Sequence, residues 1–465
     1  MDGEDFSGEE LKNAAEHFGE LLDNGESKYR EADELDELIE YFIQEGQLSR
    51  AIKAAECGLE WHPFSALILQ KKAYIFHITG RSTDALELLE KAELFEPNEG
   101  GIFALRGEIL SHLERYDEAI DNFLKALMYS EDFAEIYLNM AFTYQSWNRP
   151  QDAIKCLTKI LDDDVENEQI LFEIGYCFDL MDNPNEAISF FEKFIDKHPY
   201  SYAAWVNLGN WFQLKEDYEK AIWAYDFGIA ILEYHGNAYL QKGLCLFELE
   251  KFTEAIESFN QTLELDGPDA LIYCNIGNCH EELGEVRTAR GFYKLAIKND
   301  ATMSDAWFGM GITYKLEENY SQAVHFINKA IKLDDEETDY LIELGEVYML
   351  MENYEKAEIT YAKICRQEPH LSEAWLDWAM SQFELGKTDE ALSTLEDALE
   401  YWPVDCRFHY RLAAYCYTLG LTVKGNEYLN EGLTINWDEH FLLFIHAPFL
   451  QDVESVIESI DLYRH

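Results

Sequence analysis

Basic side chains are scarce in this chain of 465 residues: 36 Lys and Arg stand against 91 Asp and Glu, which gives a formal net charge of −55 at pH 7. Binding to phosphate backbones depends on Lys and Arg that displace counterions, so we expect no nucleic-acid partner. Anionic membrane surfaces also recruit basic clusters, so we expect no membrane partner. Two explanations of the charge stay open: it keeps the molecule soluble, or it steers a basic partner towards it.

Long apolar runs are also missing, because no stretch approaches the roughly 18 uninterrupted apolar residues of a membrane span. Residues 1–5 are acidic and precede no apolar run, which is unlike a secretion signal. The nine cysteines are odd in number and scattered, so reduced thiols fit better than a framework of disulphides. Together these features predict a cytoplasmic protein.

The familiar motifs of catalysis are absent: the sequence has no G-x-x-x-x-G-K-[ST] phosphate loop, no G-x-S-x-G elbow and no H-E-x-x-H zinc motif. Residues 280–284 begin as His-Glu but then depart from the last pattern. Cys274, Cys279 and His280 come nearest to a metal cluster, yet five residues of helix turn the two thiols to different faces. The acidic turn at 162–164 lacks the spacing of a calcium loop. We therefore predict a protein that is not an enzyme, with no catalytic residue, no metal and no cofactor.

What the sequence does contain is a period of 34 residues that runs from residue 32 to residue 439 without insertion or deletion. One column of this period is alanine in eleven of the twelve copies and glycine in the last: Ala51, Ala85, Ala119, Ala153, Ala187, Ala221, Ala255, Ala289, Ala323, Ala357, Ala391 and Gly425. The column twelve residues earlier is Gly or Ala in all copies except the first, which has Ile39. Such a period is typical of a solenoid, in which each repeat buries its apolar face against its neighbours.

Each repeat reads as two amphipathic helices. In the repeat 202–235, Trp205, Gly209 and Phe212 share one helical face, and a second apolar run follows a turn at 215–217. The small residues fall at positions 8 and 20 of the repeat, where two antiparallel helices can cross closely. Several repeats end in proline where a helix must stop: Pro63, Pro97, Pro199, Pro369 and Pro403.

Three repeats carry the fullest version of the pattern: Trp205-Leu208-Gly209-Ala221-Tyr225, Trp307-Gly311-Tyr314-Ala323-Ala330 and Leu341-Leu344-Gly345-Tyr348-Ala357-Tyr361-Pro369. The pattern resembles the tetratricopeptide repeat, and the resemblance extends over all twelve repeats. The terminal repeats depart from it, with Ile39 in the first and with Gly425 and Trp437 in the last, as terminal repeats usually do. The resemblance implies an all-α fold, an α-solenoid in which antiparallel helix pairs form a right-handed superhelix.

The expected organisation has three segments: an acidic N-terminal segment with a capping helix at 1–31, twelve tandem repeats at 32–439 and C-terminal capping helices at 440–465. Ser7 and Glu10 have the spacing of a capping box at the start of the first helix. An arm that docks a partner is the alternative for the acidic segment.

The resemblance also implies that the first helices of successive repeats line a concave groove. Positions 4, 7, 8 and 11 serve packing, so positions 2, 5, 9 and 12 are the candidate binding positions. The candidate groove residues mix apolar, amide and carboxylate side chains: Leu138, Phe142, Gln145, Phe172, Tyr176, Asn210, Gln213, Leu244, Phe247, Asn278, Glu281, Phe308, Ile312 and Lys315. Apolar surface with amide donors suits an extended peptide or a partner helix. The alternative is that these side chains pack within a tightly wound superhelix.

These features predict a scaffold or adaptor whose groove binds a basic or amphipathic polypeptide segment. Two alternatives stay open, a peptide-sensing regulatory subunit and a substrate-docking subunit of an enzyme complex. Family members that bind chaperone tails grip a terminal carboxylate with a Lys/Arg/Asn clamp. Asn210 and Asn278 match its amide part, but Lys315 stands alone as the basic part, so that function is not carried over. The sequence leaves the oligomeric state and the identity of the partner open.

Overall fold

The computed structural model describes residues 8–25 and 28–464. Ser7 and the side chain of Glu10, the predicted capping box, lie outside that description. Within it the secondary structure is helical, with no strand. The chain divides by its contacts into two compact units, Met1–Glu233 and Tyr234–His465, which we call the N-terminal unit and the C-terminal unit.

Among its described residues, the N-terminal unit has thirteen α-helices. They are α1 Gly8–Asp23, α2 Ala32–Gln44, α3 Leu48–Trp61, α4 Ala66–Ile78, α5 Ser82–Phe95, α6 Gly100–His112, α7 Tyr116–Tyr129, α8 Phe133–Ser146, α9 Pro150–Leu161, α10 Glu168–Leu180, α11 Pro184–Lys197, α12 Tyr202–Leu214 and α13 Tyr218–Ile231. From α2 onwards, even-numbered helices are the first helices of repeats 1–6, and odd-numbered helices are the second ones.

The C-terminal unit continues the alternation through repeats 7–12 and adds two further helices. They are α14 Gly236–Glu248, α15 Phe252–Asp266, α16 Ala270–Glu282, α17 Val286–Asn299, α18 Ser304–Leu316, α19 Tyr320–Leu333, α20 Thr338–Leu350, α21 Tyr354–Gln367, α22 Ser372–Glu384, α23 Thr388–Ala398, α24 Cys406–Thr418, α25 Thr422–Ile435, α26 Phe441–His446 and α27 Glu454–Leu462. Short 3-10 turns lie at Trp437–Glu439 and Pro448–Asp452.

Within each unit, neighbouring helices in the chain pack against each other. The two helices of a repeat contact one another, as α6 and α7 do, and the second helix then contacts the first helix of the next repeat, as α7 and α8 do. This arrangement is an α-solenoid of helical hairpins, as the period predicts.

The two columns of small residues form the centre of each hairpin. All eleven alanines of the position-20 column are fully buried. At position 8, a Cβ added to Gly209 would lie 2.5 Å from Cε1 of Tyr225, and one added to Gly277 would lie 2.7 Å from Cε1 of Tyr293. Both rings stand at position 24, on the second helix of the same hairpin. In these two repeats position 8 is therefore small because an aromatic ring of the partner helix occupies the space of a side chain.

The turn inside each hairpin repeats one backbone conformation at position 15. Its φ is positive in every repeat, for example +69° at Gly46 and +58° at Glu216. The amide that follows closes the turn: the N–H of Asp217 donates to the carbonyl of Phe212 at 2.9 Å. This is the hydrogen bond of a Schellman motif, which commonly ends a helix. Five of the twelve copies use glycine there, and the others use Glu, Asn or Asp.

Both ends of the array are covered by additional helices. Ala15 and Phe18 of α1 are fully buried against the first repeat, and Arg50 binds Asp23 of α1 at 2.6 Å. At the other end, Leu443 of α26 and Val456 of α27 join the core of the last repeat. The division of the chain at 1–31, 32–439 and 440–465 stays a prediction.

Two glycines of one hairpin offer a matched test of this packing. We expect Gly277→Ala to lower the free energy of unfolding by about 1–3 kcal/mol, because the new methyl group overlaps the Tyr293 ring. We expect Gly291→Ala to raise it by about 0.5–1 kcal/mol, because Gly291 lies in α17 with nothing within 4 Å of an added Cβ and alanine favours a helix. Urea unfolding followed by circular dichroism measures both, and equal shifts would contradict the packing.

Candidate functional site

The predicted binding positions of the N-terminal unit lie on what we call its first-helix face, formed by positions 2, 5, 9 and 12 of the even-numbered helices α2–α12. Three aromatic side chains of this face are exposed: Phe142 on α8 by 39 %, Phe172 on α10 by 38 % and Tyr176 on α10 by 52 %. Asn210 is exposed, and Leu138, Gln145 and Gln213 are half-buried. Aromatic side chains on two successive first helices are therefore exposed to a partner.

The first helices of this unit also line a cavity of 410 Å³, to which α8, the helix of Phe142, contributes Glu135 and Asn139. Four carboxylates line it: Glu40 on α2, Glu108 on α6, and Asp132 and Glu135 at the start of α8. Burial, together with the nearby Glu135, raises the pKa of Glu108 above its ordinary value. Carboxylates gathered in this way favour a cation, since a positive charge offsets their mutual repulsion.

The cation that faces this cavity is already engaged. Among the described residues of the lining, Lys71 is the one Lys or Arg, and its ammonium binds Glu40 at 2.7 Å and Asp36 at 3.5 Å. Hydrogen bonding to Lys71 is the main reason that the pKa of Glu40 is lowered. Glu108, Asp132 and Glu135 form no ion pair with the part of the chain that the structure describes, so the cavity keeps an excess of negative charge.

The cavity includes residues that the predicted set omits. Gln70 and Tyr74 on α4 occupy positions 5 and 9 of repeat 2, and Ala104 and Glu108 on α6 occupy the same positions of repeat 3. The same positional rule identifies them from the sequence. The predicted set begins at repeat 4, so it omits these residues of repeats 2 and 3.

In the C-terminal unit, side chains at the predicted positions make more contacts with other side chains of the protein. The ring of Phe247 stands 5.3 Å from that of Phe252, and Phe308 stands 4.6 Å from Tyr340. Leu244 and Ile312 are half-buried. In this unit Phe247 and Phe308 therefore lie against other rings of the protein, and their place in a binding groove stays a prediction.

Lys315 is held by two carboxylates of the next first helix. Its ammonium binds Glu343 at 2.5 Å and Glu346 at 2.7 Å. These hydrogen bonds raise the pKa of Lys315, against the opposing effect of burial. A lysine paired in this way is poorly placed to grip the carboxylate of a peptide.

The amides at positions 9 and 12 support the position-24 tyrosines. The hydroxyl of Tyr225 donates to Oδ1 of Asn210 at 2.8 Å and lies 2.7 Å from Oε1 of Gln213. Asn278 and Glu281 make the equivalent contacts with the hydroxyl of Tyr293, at 2.8 Å and 2.9 Å. The amide oxygens of Asn210 and Asn278 are thus used within the protein, which further separates them from the clamp of chaperone-tail binders.

Burial raises the pKa of Glu281 to about 7, and the neighbouring carboxylates Glu282 and Glu343 add to the effect. The hydrogen bond from Tyr293 opposes this shift but does not cancel it. The ionised carboxylate of Glu281 therefore destabilises the hairpin α16–α17 at neutral pH.

Cys274 and Cys279, which come nearest to a metal cluster in the sequence, are both buried. Burial raises the pKa of the Cys274 and Cys279 thiols to about 12. His280 instead binds Glu285 at 2.8 Å and stacks on Phe292. In residues 8–25 and 28–464 no group of three or more potential ligands has the geometry to hold a metal ion.

No helix in the described part of the chain combines the length and apolar character needed to cross a membrane. Models of the tetratricopeptide repeat match residues 240–304 and 376–439, residues 169–201, and residues 101–133, 134–162, 304–337 and 338–370. Together these matches cover more than half of the sequence. The chain belongs to the tetratricopeptide repeat family.

Solved structures of the family are similar to the chain to different extents. YrrB, a tetratricopeptide repeat protein described as having an unusual peptide-binding site, is 25% identical over 41% of this chain and 97% of its own, with a TM-score of 0.36. The C-terminal part of a repeat protein from Cytophaga hutchinsonii is 19% identical over 49% of this chain and 94% of its own, with a TM-score of 0.43. The Cut9–Hcn1 hetero-tetramer of the APC/C is 14% identical over 94% of this chain and 93% of its own, with a TM-score of 0.37. No curated protein matches the sequence.

The raised pKa of Glu281 makes stability depend on pH in a defined direction. Between about pH 4.5 and pH 7 the folded protein holds a proton that the unfolded chain releases, so this group's contribution falls as pH rises. We expect Glu281→Gln to stabilise the C-terminal unit by about 1–2 kcal/mol at pH 8 and to have little effect at pH 4.5. Glu257→Gln, at an exposed carboxylate of α15 in the same unit, is the control. Urea unfolding at both pH values measures the difference, and a gain that is the same at both would show that ionisation is not the cause.

Proposed function

We propose that this tetratricopeptide repeat protein is a scaffold or adaptor without catalytic activity, and that its N-terminal unit binds a basic amphipathic polypeptide segment. Membership of the family supports protein–protein interaction in general. The finer proposal rests on one observation: the first helices of the N-terminal unit carry exposed aromatic rings and a cavity lined by carboxylates, and α8 contributes to both.

The two parts of this face suit the two parts of an amphipathic segment. Phe142, Phe172 and Tyr176 offer apolar surface to leucine-like side chains, and aromatic residues contribute much of the binding energy at protein interfaces. Glu108 and Glu135 offer carboxylates to lysine or arginine. The net charge of −55 adds attraction at long range, which raises the association rate of a basic partner and weakens with salt.

The proposal also concerns the location of the protein, its cofactors and its other partners. It places the protein in the cytoplasm and requires no metal or cofactor, no nucleic acid and no membrane. A regulatory subunit or a substrate-docking subunit would use the same face and differ only in what binds it. No feature of the described residues favours either one over a scaffold.

The aromatic part of the face is tested by replacing Phe142, Phe172 and Tyr176 together by Ser. The probe is a fluorescently labelled synthetic helix with leucine on one face and lysine on the other. We expect the triple variant to weaken binding of this peptide by at least about tenfold, because three exposed rings are lost from the contact. Fluorescence anisotropy with the full chain measures the affinity, and circular dichroism verifies that the helices remain.

The matched control replaces three exposed apolar residues on second helices of the same unit: Leu94, Leu124 and Met128. Their substitution by Ser removes a comparable amount of exposed apolar surface away from the first-helix face, so we expect the affinity to stay within about twofold. If the control variant loses the peptide as much as the aromatic variant does, the proposed site is wrong.

A further inference from the structure

A second groove of the N-terminal unit lies on the opposite side of the hairpins, between the second helices α9 and α11. It encloses 680 Å³. Its floor is apolar and aromatic: Ile154 of α9, Phe178 of α10, and Phe190 and Phe194 of α11. Phe190 stands 5.5 Å from Phe178 and 6.4 Å from Phe194, so the rings form one continuous surface.

The groove arises where the repeat departs from its own pattern. Position 27 is Gly, Ala or Thr in nine of the twelve repeats, but it is Ile160 in repeat 4, Phe194 in repeat 5 and Ile364 in repeat 10. Phe194 is the one aromatic residue of that column, and it remains half-buried along the groove. In addition, α9 has 12 residues where α11 has 14. The enlarged side chains and the shortened helix together account for a depression that small residues would not form.

The rim of the groove reverses the charge balance of the chain. Three lysines line it, Lys155 of α9 with Lys193 and Lys197 of α11, against the two carboxylates Asp162 and Glu186. The whole chain has 36 basic residues against 91 acidic ones. A lysine-rich rim around an aromatic floor is therefore a local exception in an acidic protein.

Two of these three lysines form no ion pair among the described residues. Lys155 binds Asp152 at 2.8 Å. Lys193 and Lys197 are exposed and lie four residues apart on one face of α11, and neither is within ion-pair distance of a carboxylate among the described residues. At about 0.15 M ionic strength the Debye length is about 8 Å, so these ammonium groups act on a bound partner with little opposition from remote carboxylates.

We infer that this groove binds an acidic amphipathic helix of a partner protein. Apolar side chains of that helix would lie on Ile154, Phe190 and Phe194, which are half-buried, and its carboxylates would pair with Lys193 and Lys197. An apolar stripe in a groove with charges at its edge is how amphipathic helices are commonly bound. The inference does not depend on the function proposed for the first-helix face. If both hold, the N-terminal unit carries two partners of opposite charge on opposite sides.

The test uses the full chain and a labelled synthetic helix with leucine on one face and glutamate on the other. We expect the double variant Lys193→Glu/Lys197→Glu to weaken its binding by about tenfold or more, since attraction is replaced by repulsion. Phe194→Ala, which restores a small residue at position 27, is expected to weaken binding as well. Fluorescence anisotropy measures the affinity and circular dichroism measures the helical content of each variant.

The matched control is Lys91→Glu/Lys125→Glu. It makes the same change in net charge, at position 26 of repeats 2 and 3, the position that Lys193 holds in repeat 5. We expect this variant to retain the affinity of the wild type within about twofold. No binding of the acidic helix, or equal losses in the two lysine variants, would overturn the inference. The aromatic variant of the first-helix face should leave this binding unchanged, so the two proposals fail independently.

Discussion

A small residue at position 8 opposite a large one at position 24 governs the packing of the hairpins in repeats 2–12, and the first repeat exchanges the two sizes, with Ile39 and Ala55. At Gly209 the ring of Tyr225 lies against the backbone of the first helix, and at Gly277 the ring of Tyr293 does. The buried alanine at position 20 lets the second helix approach equally closely. The two helices of such a hairpin bury one face of each against the other. The next hairpin must cover the remaining apolar surface, so the stability of each repeat depends on its neighbours.

This constraint also decides what remains available for recognition. With positions 4, 7, 8 and 11 used for packing, the opposite side of each first helix is left to face outward. In the N-terminal unit that side holds Phe142, Phe172 and Tyr176, and the first helices also line a cavity with carboxylates. In the C-terminal unit, Phe308 contacts Tyr340 and Lys315 is paired with carboxylates, so the same positions bind the protein's own side chains. The repeat thus fixes where a binding face lies, and the individual side chains decide whether it is open.

The fold could be read from the sequence because its determinants are local and repeated. The small columns and the 34-residue period predict the helices and their hairpins. The site was harder to predict, because the period does not show which neighbouring side chains cover a given position. Phe142 and Phe247 both stand at candidate binding positions, yet only Phe142 is exposed. Glu108 was missed because a single carboxylate among 91 acidic residues carries no signal until three others meet it in a cavity. The groove at Phe194 needed a comparison of repeats at position 27.

Side-chain footprinting of the N-terminal unit, by hydroxyl radicals and mass spectrometry, tests most directly whether the first-helix face is the binding face. It compares the free protein with the complex of the lysine-rich amphipathic peptide. The account predicts reduced oxidation of Phe142, Phe172 and Tyr176, with no change at Trp223 and Phe227, which are exposed on the second helix α13. Protection of Trp223 and Phe227, or unchanged oxidation of all five aromatic residues in a saturated complex, would contradict it.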